Sequence, residues 1–372
     1  MKPLLQEVEL RHLRMRLKSD FRTSFGLERD RDCILISVRD EGEQGWGECV
    51  AGAEPGYSYE TVGTAWHVLS EYFVPAVFAE NVRTPADLHA ALGKYRGHPL
   101  ARAGLEMALW DLEGKKHSKS LFELIGGVRS RIPVGVSIGI QESAQDLLAH
   151  VDAYLDQGYR RVKIKIAPGD DLKLIEAVRE AHPNLHLWVD ANAAYSSADI
   201  ELFKKMDAYN LGLIEQPLYE DDLIEHSRLQ EQLITDICLD ESIHHVRDAR
   251  HAVQIGACRV INIKPARVSG LSMACEIESF CGQEGIPVWC GGMLETGIGR
   301  AANLALASRE GFILPGDISG SSRYYEKDIC EPEFKLNDDS TIDVPMEPGL
   351  GIYLDEDALE AVTIDKMVLK SE

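Results

Sequence analysis

A chain of 372 residues, 45% hydrophobic and 27% charged, is long enough for a barrel of ordinary size plus a smaller second domain, and its composition excludes a disordered protein. Its 61 acidic and 39 basic residues leave a net charge of -22, which repels nucleic acid and anionic membranes, so no partner of either kind is expected. No apolar run reaches bilayer-spanning length, and eight scattered cysteines without a CxxC pair read as reduced core residues of a cytoplasmic protein, not as a disulfide framework or a zinc site.

The opening stretch, residues 1–17, alternates apolar and charged residues and lacks the continuous apolar centre of a signal peptide. With the run 33–38 it predicts antiparallel strands across residues 1–50. Segments 59–80, 85–93 and 99–115 read as helices; in the last, Ala101, Leu105, Ala108, Leu109 and Leu112 recur at helical spacing. Residues 1–130 therefore read as an α+β domain. From 131 the rhythm changes. Short β-rich runs at 133–139, 161–166, 186–190, 212–215, 236–240, 259–264, 287–291 and 312–317 alternate with amphipathic stretches, which predicts a parallel α/β barrel over 131–324. The tail, 325–372, lacks that rhythm and is expected to pack back on the first domain.

The spacing of charges within the barrel segment is the strongest internal signal. Lys165, Asp190, Glu215, Asp240 and Lys264 follow one another at intervals of 25, 25, 25 and 24 residues, and each ends a β-rich run. In a barrel the C-terminal ends of the strands meet on one face, so these five side chains converge. A charge there costs desolvation unless it is paired or metal-bound. Taken singly, each carboxylate could cap a helix or pair with a loop lysine. Three at equal period predict all-oxygen ligands for a hard cation, Mg²⁺ or Mn²⁺, at Asp190, Glu215 and Asp240.

Alternation along Val162-Lys163-Ile164-Lys165-Ile166 sends both lysines to one side, the barrel interior. A buried lysine beside another cation can serve as a base near neutrality. Lys264 lies across the ring from Lys165, so a substrate between them would meet an acid/base group on each face. The ordinary alternative for Lys264 is a structural pairing with a neighbouring acid. His182 and His186 are set aside because Pro183 and Asn184 place them in a loop entering a strand, and His244 and His245 because imidazole suits an oxygen-rich site poorly.

These same residues carry a resemblance. Lys163-Ile164-Lys165, Asp190-Ala191-Asn192, Glu215-Gln216-Pro217, Asp240-Glu241-Ser242 and Lys264-Pro265-Ala266-Arg267 resemble the signature series of the enolase superfamily, muconate-lactonizing subgroup. Gly47-Glu48-Cys49 and the stretch 105–112 resemble its capping domain. The resemblance implies a (β/α)7β modified TIM barrel with an N-terminal α+β capping domain. It also implies abstraction of the proton α to a carboxylate, with Lys165 and Lys264 as the acid/base pair and Lys163 as a supporting cation.

Stretches 291–300 and 315–324 are similar to the o-succinylbenzoate synthase and N-succinylamino acid racemase family, and Arg267 to the arginine of its racemase-competent members. The eighth run lacks the Asp-x-Asp pair of dipeptide epimerases, and the seventh, near Cys290, lacks the histidine base of mandelate racemase. By resemblance, residues 21–26 and 48–59 form two loops over a small-molecule carboxylate, with Gly26, Gly52 and Gly56 as hinges. Ser137, Asn192, Arg267, Gly292, Met293, Phe21 and Ser319 are the expected substrate contacts. The implied reaction is a lyase that forms o-succinylbenzoate for menaquinone, or a racemase of N-succinylamino acids, or both. A non-catalytic barrel remains as the third reading, and a symmetric homo-oligomer is expected by analogy.

Overall fold

The computed structural model describes residues 5–40, 42–169 and 171–371; the first four residues of the expected opening strand lie outside them. The chain begins with a long hairpin, β1 (Glu7–Thr23) and β2 (Gly26–Arg39), followed by β3 (Gln44–Cys49). Period-two alternation divides this sheet between two cores. Cys33 and Leu35 pack with the barrel, while Ile34, Ile36 and Val38 pack with the helices of the first domain. Burial on both faces explains why 33–38 reads as an almost unbroken apolar run. Those helices are α1 (Val62–Val68), α2 (Val74–Ala79), α3 (Pro85–Leu92), α4 (Pro99–His117) and α5 (Leu121–Leu124). The backbone of α4 rests directly on β3: a Cβ on Gly45 would fall 2.1 Å from the Ala108 carbonyl oxygen, so only glycine permits this approach.

After β4 (Arg131–Pro133) come β5 (Val136–Ile138), α6 (Ala144–Asp156), β6 (Arg161–Lys165), α7 (Asp171–Ala181), β7 (His186–Asp190), α8 (Ile200–Met206) and β8 (Ile214–Glu215). The alternation continues with α9 (Leu223–Gln230), β9 (Ile237–Leu239), α10 (Val246–Gln254), β10 (Val260–Ile263), α11 (Leu271–Glu284), β11 (Val288–Cys290) and α12 (Gly297–Ala307). The strands from β5 to β11 form a seven-stranded sheet in sequence order, with every pair parallel.

The eighth expected run closes the ring without becoming a regular strand. Phe312 bridges Val288 and Gly316 bridges Val134, while the Asp317 N–H donates to the Cys290 carbonyl at 2.9 Å. Pro315 sits in the middle of this run and has no N–H to give a ladder.

On β6, Val162 and Ile164 join the outer core, whereas Arg161, Lys163 and Lys165 turn inward. Trp188, Leu213, Cys238, Val260 and Trp289 plug the interior. The Arg161 guanidinium lies over the Trp188 ring at 4.3 Å.

The tail divides between the two units. β12 (Cys330–Glu331) pairs with β14 (Tyr353–Leu354), and β13 (Thr341–Asp343) pairs with β4. After α13 (Glu356–Val362), β15 (Thr363–Lys370) lies antiparallel to β1 as the fourth strand of the first sheet. Among the described residues, no helix is long and apolar enough to cross a membrane.

Candidate active site

In-register pairing sets Lys165 beside Asp190, and Asp190 beside Glu215. Asp240 follows the last residue of β9, and Lys264 the last of β10. The ring thus gathers at its C-terminal mouth the six side chains singled out in the sequence, none more than 9% exposed.

They form one ionic network. Lys163 Nζ lies 2.5 Å from Glu215 Oε2, 3.1 Å from Asp190 Oδ2 and 2.6 Å from Asp317 Oδ2. Lys165 Nζ donates to Asp190 Oδ2 at 2.6 Å and to Asn192 Oδ1 at 2.7 Å. Lys264 Nζ donates to Asp240 Oδ2 at 2.7 Å. The second oxygen of Glu215 accepts from Asn262 Nδ2 at 2.7 Å. The second oxygen of Asp240 accepts from Arg267 and, at 2.9 Å, from the Tyr57 hydroxyl.

Burial and charge compete at each of these groups. Burial alone would raise the Asp190 carboxyl, but Lys165 and Lys163 outweigh it and hold it below the carboxylate range. Asp240 is lowered in the same way, with burial opposed by Lys264 and Arg267. Glu215 goes the other way, raised by burial and then by the charge of Asp190. Lys163 is held charged despite its burial by Asp317, Glu215 and Asp190.

This donor set fits a hard divalent cation. Asp190, Glu215 and Asp240 present only oxygen and lie on three adjacent strand ends, where burial first and then the charge of Asp190 raise Glu215. Such a cluster needs compensating positive charge. As the side chains are placed, that charge comes from lysine ammonium groups, and among the described residues no three acidic, histidine or cysteine side chains stand ready as a cation cage.

Above the network lies a cavity of about 450 Å³. Lys163, Lys165 and Lys264 line it; Asp190, Glu215 and Asp240 do not. Of the expected substrate contacts, Ser137, Asn192, Gly292, Met293 and Phe21 line it. Arg267 and Ser319 do not, and both are buried. Arg267 serves as a scaffold: its Nε donates to the Ile243 carbonyl at 2.7 Å and its Nη2 to the Asn262 carbonyl at 2.6 Å. Gly291 permits the close passage of Lys264, since a Cβ there would fall 2.7 Å from the lysine Cε.

The two expected loops meet over the mouth. Ser24 Oγ donates to the Asn192 carbonyl at 3.2 Å, and the rings of Phe25 and Tyr57 lie 6.4 Å apart. None of Gly26, Gly52 and Gly56 adopts a left-handed backbone in this conformation. Gly56 leaves room for Phe25, whose ring would lie 2.7 Å from an added Cβ. Glu48 is no loop residue. It is fully buried in β3, and its carboxylate accepts from the Thr296 and Gly299 N–H groups at the start of α12. Of the histidines set aside, His245 caps α10 by accepting from the Arg247 N–H, and His186 accepts from Trp188.

Among the cavity residues that the reading of the sequence did not single out are Asp317 and Tyr57. Asp317 ends the eighth run just as Asp190 ends the third, so the rule that found the others applied to it as well. Tyr57 had no local signal: its ring lies 4.2 Å from Lys264 Nζ only because the capping loop folds over the barrel.

Comparison with known proteins agrees with this geometry. The family described as mandelate racemase / muconate lactonizing enzyme, N-terminal domain, matches residues 6–126, and the enolase C-terminal domain-like family matches residues 146–358. The chain is 48% identical to an o-succinylbenzoate synthase of Geobacillus kaustophilus, over 96% of each chain. It is 45% identical to an N-succinylamino acid racemase of Thermus thermophilus, over 97% of each. A crystal structure of an enolase-superfamily member from Listeria innocua superposes with a TM-score of 0.95 at 42% identity, covering 99% of this chain and 100% of that one. Paired lysines across a barrel mouth, three carboxylates on successive strands and an α+β cap place this chain in the enolase superfamily, within the o-succinylbenzoate synthase and N-succinylamino acid racemase family of its muconate-lactonizing subgroup.

Proposed function

We propose that this chain is an o-succinylbenzoate synthase, dehydrating 2-succinyl-6-hydroxy-2,4-cyclohexadiene-1-carboxylate in menaquinone biosynthesis. The observation that carries the reading is the pair Lys165 and Lys264, facing one cavity above three buried carboxylates, in a chain 48% identical to a synthase. Members of the superfamily use a divalent metal. Here Asp190, Glu215 and Asp240 would hold Mg²⁺, or Mn²⁺ in its place, which when bound neutralises their charge and stabilises an enediolate.

The protein groups do the rest. Lys165 Nζ takes the proton α to the substrate carboxylate. Lys163 and Lys264, both cationic, balance the negative charge that develops. Lys165 then returns its proton to the departing hydroxide, so that water leaves and the ring becomes aromatic. The loops carrying Phe25 and Tyr57 exclude bulk water. In this reading the barrel unit, 131–324, carries the chemistry, and the capping unit, 1–130 completed by 325–372, closes it. The same reading puts the enzyme in the cytoplasm, where its eight free cysteines stay reduced, and makes it a symmetric homo-oligomer.

A second reading, N-succinylamino acid racemase, is favoured by Lys264, which stands ready to exchange a proton on the opposite face, and by the 45% identical racemase. One chain can serve both reactions through the same intermediate. The non-catalytic reading has nothing to support it, since every lysine and carboxylate the chemistry needs is in place.

The test is proton NMR in D₂O with Mg²⁺, run in parallel on N-succinylphenylalanine and on the menaquinone precursor. Dehydration alone makes the enzyme a synthase. Loss of the α-proton signal with racemisation and no dehydration makes it a racemase. Activity on neither, in a folded protein that binds Mg²⁺, removes both substrates.

A further inference from the structure

Glu241 is a buried acid with an incomplete set of partners. It follows Asp240 directly, is 8% exposed, and its Oε1 accepts from Asn192 Nδ2 at 2.9 Å. Its Oε2 is buried and accepts no hydrogen bond. Such a group costs stability, and an apolar residue of similar size would avoid that cost. Its one side-chain hydrogen bond among the described residues leads to the base: the other end of the Asn192 amide, Oδ1, accepts from Lys165 Nζ at 2.7 Å.

The Asn192 backbone is already held on both sides. Its N–H donates to Asp190 Oδ1 at 3.0 Å, and its carbonyl accepts from Ser24. Its φ of 43° lies in the left-handed region, a strained setting that surrounding contacts must enforce. What remains free is the direction of the side-chain amide. An ammonium has only donors, so it needs the oxygen end; a flipped amide would set NH₂ against NH₃⁺. A carboxyl oxygen on the far side that accepts from the NH₂ end favours the useful orientation. Lys264 has no such relay. Asp240 and the Tyr57 ring hold it instead, and Glu241 reaches it through charge alone.

We propose that Glu241 is a positioning residue that aims Lys165, and not Lys264, by fixing the orientation of the Asn192 amide. The proposal rests on the α-proton chemistry above, and its effect is confined to one face of the substrate.

The experiment follows α-proton exchange in D₂O, with Mg²⁺, from each enantiomer of an N-succinylamino acid. Lys165→Ala identifies the enantiomer that Lys165 serves, because only that exchange disappears. In Glu241→Leu, exchange of that enantiomer should fall about tenfold or more while the other stays within about twofold, as expected for a displaced base. Glu241→Gln, whose amide oxygen still accepts from Asn192, should recover most of the loss. Adding Asn192→Ala to Glu241→Leu should cost no more than Asn192→Ala alone. Equal loss on both faces, or weaker Mg²⁺ binding by calorimetry in Glu241→Leu, would overturn the proposal and assign Glu241 to the fold or to the ligand set. If wild-type protein exchanges neither enantiomer, the α-proton reading fails on these substrates and this inference falls with it, whatever the variants do.

Discussion

Lys165 ends β6 and Lys264 directly follows β10 in the same ring, yet their surroundings differ. Lys165 is held by two oxygens, from Asp190 and Asn192. Lys264 is held by one carboxylate and lies against an aromatic face. Two firm acceptors suit a group that must deliver a proton at one atom of the substrate. Lys165→Ala should lower kcat by about 10³-fold or more, the scale of a lost general base. Its Mg²⁺ affinity should be undiminished, because removing an ammonium beside Asp190 leaves the ligands more anionic. Turnover near wild type in this variant would remove Lys165 as the base. The same residue-by-residue view explains the placement of Arg267. A guanidinium four residues beyond the end of β10 turns back under the loop, where backbone carbonyls of Asn262 and Ile243 satisfy it, and so misses the cavity.

At the scale of elements, β3 of the cap and α12 of the barrel are joined through one carboxylate. Glu48 accepts from Thr296 Oγ1 at 2.6 Å and from the Gly299 N–H at 3.0 Å. Burial pushes its carboxyl up to about 7, with Glu295 adding to the shift and the hydrogen bonds from Thr296 and Gly299 opposing it. The folded state therefore binds this proton more tightly than the unfolded chain does. The resulting stability is fully present below the ordinary glutamate pKa of 4.5, and is lost as pH rises to about 7. The amount is on the order of 3 kcal/mol. Glu48→Gln carries no charge, so its deficit against wild type in urea unfolding should shrink between pH 5 and pH 8. A deficit that does not change with pH would show that Glu48 does not titrate in this range. Alternation explains why β6 was readable, since 161, 163 and 165 can only share one side of a strand. The eighth run was readable as a segment, but not as a bridge around Pro315, because ring closure pairs Gly316 with Pro133, Val134 and Gly135 at the far side of the barrel sequence.

Over the whole molecule, a net charge of -22 surrounds a cavity lined by three lysines. The long-range field opposes an anionic substrate, and attraction begins only at the mouth, so capture should weaken little as salt is added. The same acidity favours divalent cations. Mg²⁺ at 100-fold over its Kd should stabilise the fold by about 2.7 kcal/mol, read as a rise in Tm. Asp190→Asn and Asp240→Asn should each abolish most of that rise. A rise that survives both substitutions would place the cation elsewhere on the acidic surface.

The order of the barrel strands and the charged residue at the end of each were legible in the sequence, because both are local: a β-rich run is contiguous, and its last residue points where alternation sends it. The long-range contacts were not. Tyr57 reaches Asp240 across 183 positions, Asp317 enters the lysine network when the ring closes, and β15 reaches β1 from the far end of the chain. Each depends on where the capping sheet and the closed ring come to rest, and that is set by packing two cores together, which no period in the sequence encodes.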